Sequence, residues 1–296
     1  FSLVVQCPLI TLAPPADTTT FPFGTALNRT FTASGGNGAY TFATTGTLPT
    51  GATFAGGVLS GTPTDAGSFS FTVQATDAFG CQSPVLSYTV NIDPGATADA
   101  YNALGNVLVD SAAGAPAFSV TGNDNFPVGT TISTFDATST GGGSVTMVTL
   151  GAALGQFTYD PPRGLGTGTD SFTYTLSRNG RTATATVTFT LAGRVWFIDS
   201  TAGACPGAPC DGRRSHPYTS TALFQAANDS IFIDAGSGSY NGSLVLLAGQ
   251  RLIGEGAAAS LATLAAVAPQ NGQSLPATGG ARPLLTAAAT VLTVAT

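Results

Sequence analysis

Between Phe21 and Asp93 apolar and polar residues alternate in short runs, with Phe69, Phe71, Val73 and Ala75 on one face and Ser68, Ser70, Thr72 and Gln74 on the other. A period of two predicts strands with one buried face. Between the runs stand Gly35-Gly36-Asn37-Gly38, Leu48-Pro49, Gly56-Gly57 and Gly61-Thr62-Pro63, which supply positive or fixed φ where the chain reverses. Strands spaced about ten residues apart predict a β-sandwich. A second alternating stretch runs through Gln156-Phe157-Thr158-Tyr159 and Asp170-Ser171-Phe172-Thr173-Tyr174. From Val195 the pattern changes to short continuous apolar runs, Trp196-Phe197-Ile198, Ile231-Phe232-Ile233, Leu244-Val245-Leu246 and Leu252-Ile253, with residues 219–227 reading as one short amphipathic helix. The prediction is an all-β chain in three parts: residues 1–94, 95–193 and 194–296.

The segment from Leu48 to Gly80, LPTGATFAGGVLSGTPTDAGSFSFTVQATDAFG, resembles the putative-Ig module, cadherin-like, of large bacterial surface proteins, over roughly residues 20–93. Ala52 and Phe69 depart from the Leu and Tyr usual there, which are changes of core volume. The opening Ala98-Asp99-Ala100-Tyr101, the turn Gly122-Asn123-Asp124, Phe157-Thr158-Tyr159-Asp160-Pro161-Pro162 and Gly168-Thr169-Asp170-Ser171-Phe172-Thr173-Tyr174 resemble the tandem cadherin-like or bacterial Ig-like repeat over about 96–192. Trp196-Phe197-Ile198-Asp199, His216-Pro217-Tyr218 and the run from Asp229 to Gly256 are similar to the start of a right-handed parallel β-helix, the pectate-lyase-like fold. Together these resemblances imply two Ig-like β-sandwiches followed by the first coils of a β-helix, an incomplete stack that continues, is capped or packs on another chain.

Composition narrows the partners. Charged residues are 8% of the chain, against roughly 25% in ordinary globular proteins, and all nine basic residues are Arg. With a net charge of -6 and no basic stripe, nucleic acid and anionic membrane surfaces are set aside. Hydrophobic residues reach 43%, with 18 Phe, so the chain folds and is not a disordered tail. No apolar run reaches the roughly 18 residues of a membrane span. Both ends read as strands, which suggests a processed product or a piece of a longer polypeptide.

Four cysteines fall into two positional groups, Cys7 with Cys81 and Cys205 with Cys210. An even number in a β chain rich in Thr and Gly fits an oxidising compartment, outside the cell or on its surface. Closing the long loop is worth about 4 kcal/mol and the short one about 2 kcal/mol. A zinc site at Cys205 and Cys210 lacks ligands, since only His216 is near in sequence.

The chemistry on offer is sparse. His216 is the sole histidine, so any Ser-His-Asp arrangement includes it. Paired carboxylates for glycoside hydrolysis must come from Asp199, Asp211, Asp229, Asp234 and Glu255, and stacked coils would align Asp199 with Asp234. Polysaccharide lyases of the resembled fold imply a basic residue beside an acidic calcium cluster, and only Arg251 and Arg282 follow the proposed cap. The cadherin-like resemblance implies calcium at Asp99, Asp124 and Asp170 near the module ends. The rival reading makes Asp124 and Asp170 turn caps. Otherwise no cofactor is expected.

A chain without Lys and with long uncharged strands leaves its sheet edges unguarded. The expectation is a bacterial extracellular structural protein, not an enzyme. It assembles with copies of itself through β-strand contacts at its ends, at Phe1, Leu3, Val5, Val291 and Val294, into a filament or layer, or it forms the stalk of an adhesin. The alternative is a β-helix with Ig-like spacers that binds or degrades a cell-surface or extracellular polysaccharide.

Overall fold

The computed structural model describes residues 6–201, 205, 209–220, 226–241, 244–286 and 292–294. Nine strands make the first module: β1 (Thr11–Ala13), β2 (Thr18–Pro22), β3 (Leu27–Thr30), β4 (Thr32–Ser34), β5 (Thr41–Gly46), β6 (Ala52–Ala55), β7 (Val58–Gly61), β8 (Gly67–Thr76) and β9 (Leu86–Asp93). They form a sheet in the order β2-β9-β8-β5, a second in the order β3-β7-β6, and the separate pair β1-β4. The alternation read from sequence decides the faces: Phe71, Val73 and Ala75 of β8 are buried, while Ser70, Thr72 and Gln74 are not. Phe31, Phe71 and Tyr88 pack together at the centre. The Tyr88 hydroxyl donates to the Pro14 carbonyl at 2.6 Å, so the polar end of a buried ring is satisfied.

The second module contains β10 (Asp99–Gly105), β11 (Val109–Asp110), β12 (Thr131–Phe135), β13 (Ser144–Met147), β14 (Phe157–Asp160), β15 (Thr167–Arg178) and β16 (Arg181–Ile198). Here β12, β15, β16 and β10 lie side by side, and β11-β14-β13 is the other sheet. The alternating aromatics all turn inward. Phe189 touches Tyr101, Phe157, Tyr159 and Phe172, and stacks on Tyr159 with centroids 4.0 Å apart.

The third region has β17 (Ser230–Ile233), β18 (Ser239–Asn241), β19 (Leu244–Leu246), β20 (Arg251–Gly254), the short helix α1 (Leu261–Ala265), β21 (Leu284–Thr286) and β22 (Leu292–Val294). All its ladders are parallel: β16-β17-β20, β18-β21 and β19-β22. The strands β17, β18 and β19 are thus paired, in the same order along the chain, with β20, β21 and β22. Trp196, Ile198, Ile231 and Ile233 enter one core, and Val195, Phe197 and Phe232 enter another. Burial on both faces is why these strands read as continuous apolar runs and not as alternation. The helix expected at 219–227 lies partly outside the described residues, since 221–225 are not described.

The three regions are locked together. β15 and β16 are joined by Asn179 and Gly180, both at positive φ, 48° and 76°, as a tight two-residue hairpin requires. This tip reaches the first module, where Arg178 grips Asp65 with two contacts of 2.9 and 3.0 Å and Arg181 meets Asp93 at 2.6 Å. Asn125 pairs its backbone with Gly95, and its side-chain amide donates to the Phe23 carbonyl. At the other boundary β16 continues without interruption from the second module into the third region. Residues after α1 then return to the second module. Gln273 accepts from the Leu104 N–H at 2.8 Å and donates to the Val107 carbonyl at 2.8 Å, while Asn271 accepts from the Ala115 N–H and donates to the Pro116 carbonyl.

Two outcomes follow from this architecture. Phe189→Ala removes the ring at the centre of the second core and should destabilise by about 3–5 kcal/mol in denaturant unfolding. Arg178→Ala combined with Arg181→Ala should leave both cores intact, seen as unchanged near-ultraviolet circular dichroism, while broadening the inter-module angle distribution measured by small-angle scattering.

Candidate functional site

Cys7 is bonded to Cys81 and Cys205 to Cys210. The first bond ties the segment before β1 to the loop after β8. Oxidised to each other, Cys205 and Cys210 have no thiolate to offer a zinc ion.

Of the three aspartates named for calcium, the structure brings two together. The Tyr174 hydroxyl lies 2.7 Å from Asp124 Oδ2, 3.4 Å from Asp99 Oδ2 and 3.0 Å from the Val120 carbonyl. Asp124 Oδ1 accepts from the Thr97 N–H at 2.7 Å, and Asp99 Oδ1 accepts from the Tyr101 hydroxyl at 3.3 Å. Asp170 stands apart on the same strand as Tyr174, four residues or roughly 13 Å away at about 3.3 Å per residue. It is a turn anchor: Ser139, Thr140, Tyr159 and the Gly141 N–H all donate to it. These bonds hold its carboxyl below the usual range despite burial. Asp99 and Asp124 thus lie together at one place and Asp170 at another, because strand geometry holds position 170 well away from position 174.

A hard cation needs six or more oxygen ligands. Among the described residues no group of three or more Asp, Glu, His or Cys is placed to hold a metal, and the two Asp124 oxygens take the Thr97 N–H and the Tyr174 O–H. A proton meets the same electrostatic demand. Burial, then the nearby Asp124 charge, pushes Asp99 up to about 7, so its carboxyl is only partly ionised near neutrality. Tyr174 has one hydrogen for several surrounding oxygens, and a protonated Asp99 supplies a second.

His216 does meet a serine and an aspartate, in the wrong order for catalysis. The Ser215 hydroxyl donates to Asp160 Oδ2 at 2.6 Å, and His216 Nδ1 lies 3.0 Å from the same hydroxyl oxygen. A nucleophilic serine gives its proton to histidine, with the carboxylate behind the imidazole. Here the serine sits between them and its proton goes to a carboxylate that also pairs with Arg213 at 3.0 Å. The group pins the start of the third region to β14.

Asp199, Asp234 and Glu255 each follow strand residues in register, Ile198 with Ile233 and Ile233 with Gly254. They therefore occupy successive rungs about 4.8 Å apart, as the aligned strand endings imply. Each receives a backbone N–H, from Thr201, Gly236 and Ala235 respectively. Burial, with Asp199 and Glu255 nearby, holds Asp234 above the usual carboxylate range. Asp211 and Asp229 are held in ion pairs with Arg213 and Arg194. Arg251 donates to the Leu264 carbonyl.

What the sequence did not reveal is the cage around Trp196. Its indole N–H donates to Asp229 Oδ2 at 2.7 Å, Arg194 pairs with Asp229 Oδ1 at 2.8 Å, and Arg163 and Arg194 lie 5.8 and 5.7 Å from the indole ring centroid. Gly212 fits against Trp196 and Tyr218 because a Cβ there would overlap both rings. Arg163 and Asp229 are 66 positions apart in the chain, so no local pattern announces their meeting.

Of the proposed assembly residues, Phe1, Leu3, Val5 and Val291 lie outside the described residues. The backbone of Val294 pairs with Leu246 of the same chain. Ile10 and Leu12, at the inner end of the N-terminal segment, belong to the first core, and β1 pairs with β4. This inner stretch is already engaged within its own module.

Residues 8–93 match the family model described as Putative Ig domain, and residues 91–190 match the one described as Bacterial Ig domain. The chain carries two tandem Ig-like modules. No curated protein matches the sequence at a significant level. Among solved structures, a putative alpha-galactosidase from Bacteroides fragilis is similar at 19% identity and a TM-score of 0.25, over 35% of this chain and 24% of that one. Drosophila N-cadherin EC1-3 is similar at 12% identity and 0.24, over 63% and 68%. An endo-fucoidan hydrolase from glycoside hydrolase family 107 is similar at 15% and 0.23, over 62% and 29%. This chain thus spans about a quarter of the first of these proteins. Two Ig-like modules and two disulfides fit an extracellular or surface protein. Among the described residues no helix is long and apolar enough to cross a membrane.

The raised pKa of Asp99 has a pH signature. An unfolded aspartate releases its proton near 3.8, whereas native Asp99 keeps it to about 7. Between those values the native state binds more protons, so its contribution to stability falls as pH rises through that window. Asp99→Asn should remove this slope and leave the protein about 1–2 kcal/mol more stable than wild type at pH 8. Unfolding curves from pH 5 to 8, with calcium and with chelator, measure it, and calcium should leave the midpoints unchanged.

Proposed function

We propose that this chain is a tension-bearing extracellular structural segment. It assembles with copies of itself into a bacterial surface filament or layer, or forms the stalk of an adhesin. One observation carries the reading. In both Ig-like modules the first long strand and the last are parallel neighbours: β2 beside β9, from Thr18 against Thr89 to Pro22 against Asp93, and β10 beside β16, from Asp99 against Val187 onward. A pull on the two ends of either module loads these ladders along the strands, so several backbone hydrogen bonds resist together instead of breaking singly.

The braces at both module boundaries support the same role, because they hold successive modules at fixed angles. The third region we read as the first coils of a parallel β-helix. Support comes from its all-parallel ladders and from the order β17-β18-β19 followed by β20-β21-β22. In this reading the chain is not an enzyme and needs no metal. The serine beside His216 is positioned to anchor, and Asp99 and Asp124 around the Tyr174 hydroxyl are positioned to brace.

Two measurements test this. Single-molecule stretching of the chain, tethered at its two ends, should give module unfolding forces that drop when Thr19→Pro removes an N–H on the side of β2 that faces β9, the side on which Thr89 N–H donates to Asp17 and Phe23 N–H donates to Asp93; forces insensitive to that change would contradict the mechanical role. Sedimentation and negative-stain microscopy of the full chain should show regular polymers that disappear when residues 1–5 are deleted, a cut that spares Cys7, Ile10 and Leu12. Monodisperse monomers in both cases would leave the stalk and remove self-assembly.

A further inference from the structure

We infer that the junction between the second module and the third region carries a binding cleft for a neutral saccharide, centred on Arg214. Two adjoining clefts share this residue. One, of about 320 Å³, lies between Leu108, Asp110 and Ala113 of the second module and Gln273 and Ser274 of the returning arm. The other, of about 230 Å³, is bounded by Asp199, Asp234, Pro217 and Pro276. The first volume falls in the lower part of the roughly 300–1,000 Å³ range of ligand sites, which favour boundaries between domains.

Arg214 differs from the chain's bracing arginines. Arg29, Arg178, Arg181, Arg194 and Arg213 each hold an aspartate. Arg214 is half-buried and, among the described residues, has no carboxylate within 4.0 Å. Its backbone N–H is fixed to the Asn106 carbonyl, and among the described residues its guanidinium makes one hydrogen bond, to Ser274 Oγ at 3.2 Å. Burial draws its pKa down, opposed by the Asp234 charge. A guanidinium has five N–H donors in a rigid fork, so most of this one is available to a visitor.

The charge around it selects the visitor. Asp110 faces one cleft, and Asp199 and Asp234 face the other, each fixed by a backbone N–H on one oxygen. Three carboxylates around one guanidinium disfavour a polyanion. A neutral saccharide fits, because every hydroxyl both donates and accepts: vicinal hydroxyls can accept from Arg214 while donating to the aspartates. The proline rings offer apolar walls to the sugar C–H faces. Saccharide binding here is independent of the mechanical role and of self-assembly, either of which can fail without it.

The test is calorimetric titration of the full chain with short neutral oligomers of glucose, mannose, xylose and galactose, with tetragalacturonate as the anionic comparison. At least one neutral oligomer should bind. Arg214→Gln should weaken it at least about tenfold without changing the melting temperature, and Arg251→Gln, outside both clefts, should have no effect. Ala113→Trp, on an exposed turn at the first cleft, should also block binding, and keeps the test open if Arg214→Gln misfolds. Failure of every neutral oligomer at millimolar concentration, binding of tetragalacturonate alone, or undiminished binding by both cleft variants would overturn the proposal.

Discussion

One strand, Arg181–Ile198, is the member on which the rest of the molecule depends. Its first two-thirds pairs with β15, part of that stretch also carries β10, and its last four residues pair with β17. Three neighbours thus share a single strand, which passes from one set of partners to the next across Gly193 at φ 82°. Residues that read as a change of domain are a change of partner along one continuous strand.

The few charges are placed accordingly. Arg178 and Arg181 with Asp65 and Asp93 hold the first boundary, and Arg213 with Asp160 and Asp211 holds the second. Exposed ion pairs contribute little to stability, yet these are partly shielded between modules, where they specify an angle. The outer sheet faces, by contrast, are covered with hydroxyls paired across strands, such as Thr45 with Thr72, Ser70 with Thr89 and Thr175 with Thr184.

The Ig-like portion of the fold was legible because its signals are local. Phe71, Val73 and Ala75 against Ser70, Thr72 and Gln74 state which face is buried, and the alternating aromatics from Phe157 to Tyr174 do the same for the second module. The sites were less legible because their partners are distant in sequence. Asp99 and Asp124 could be paired by motif, but separating Asp170 from them required knowing that it shares a strand with Tyr174. The serine beside His216 could be seen, yet its proton acceptor, Asp160, lies 55 residues earlier. The arm carrying Asn271 and Gln273 left no trace in the pattern, since its contacts are side-chain amides on backbone groups more than 150 residues away.

That arm bears on how the protein is made. A chain that becomes available from its N-terminus presents the strands of the first module complete once Asp93 is out. The second module has all its strands by Ile198, but the backbone groups of Leu104, Val107 and Ala115 still await Gln273 and Asn271. Until the residues from Asp199 to Gln273 are also available, that module lacks these partners, and a late segment of the chain is the one that seals it.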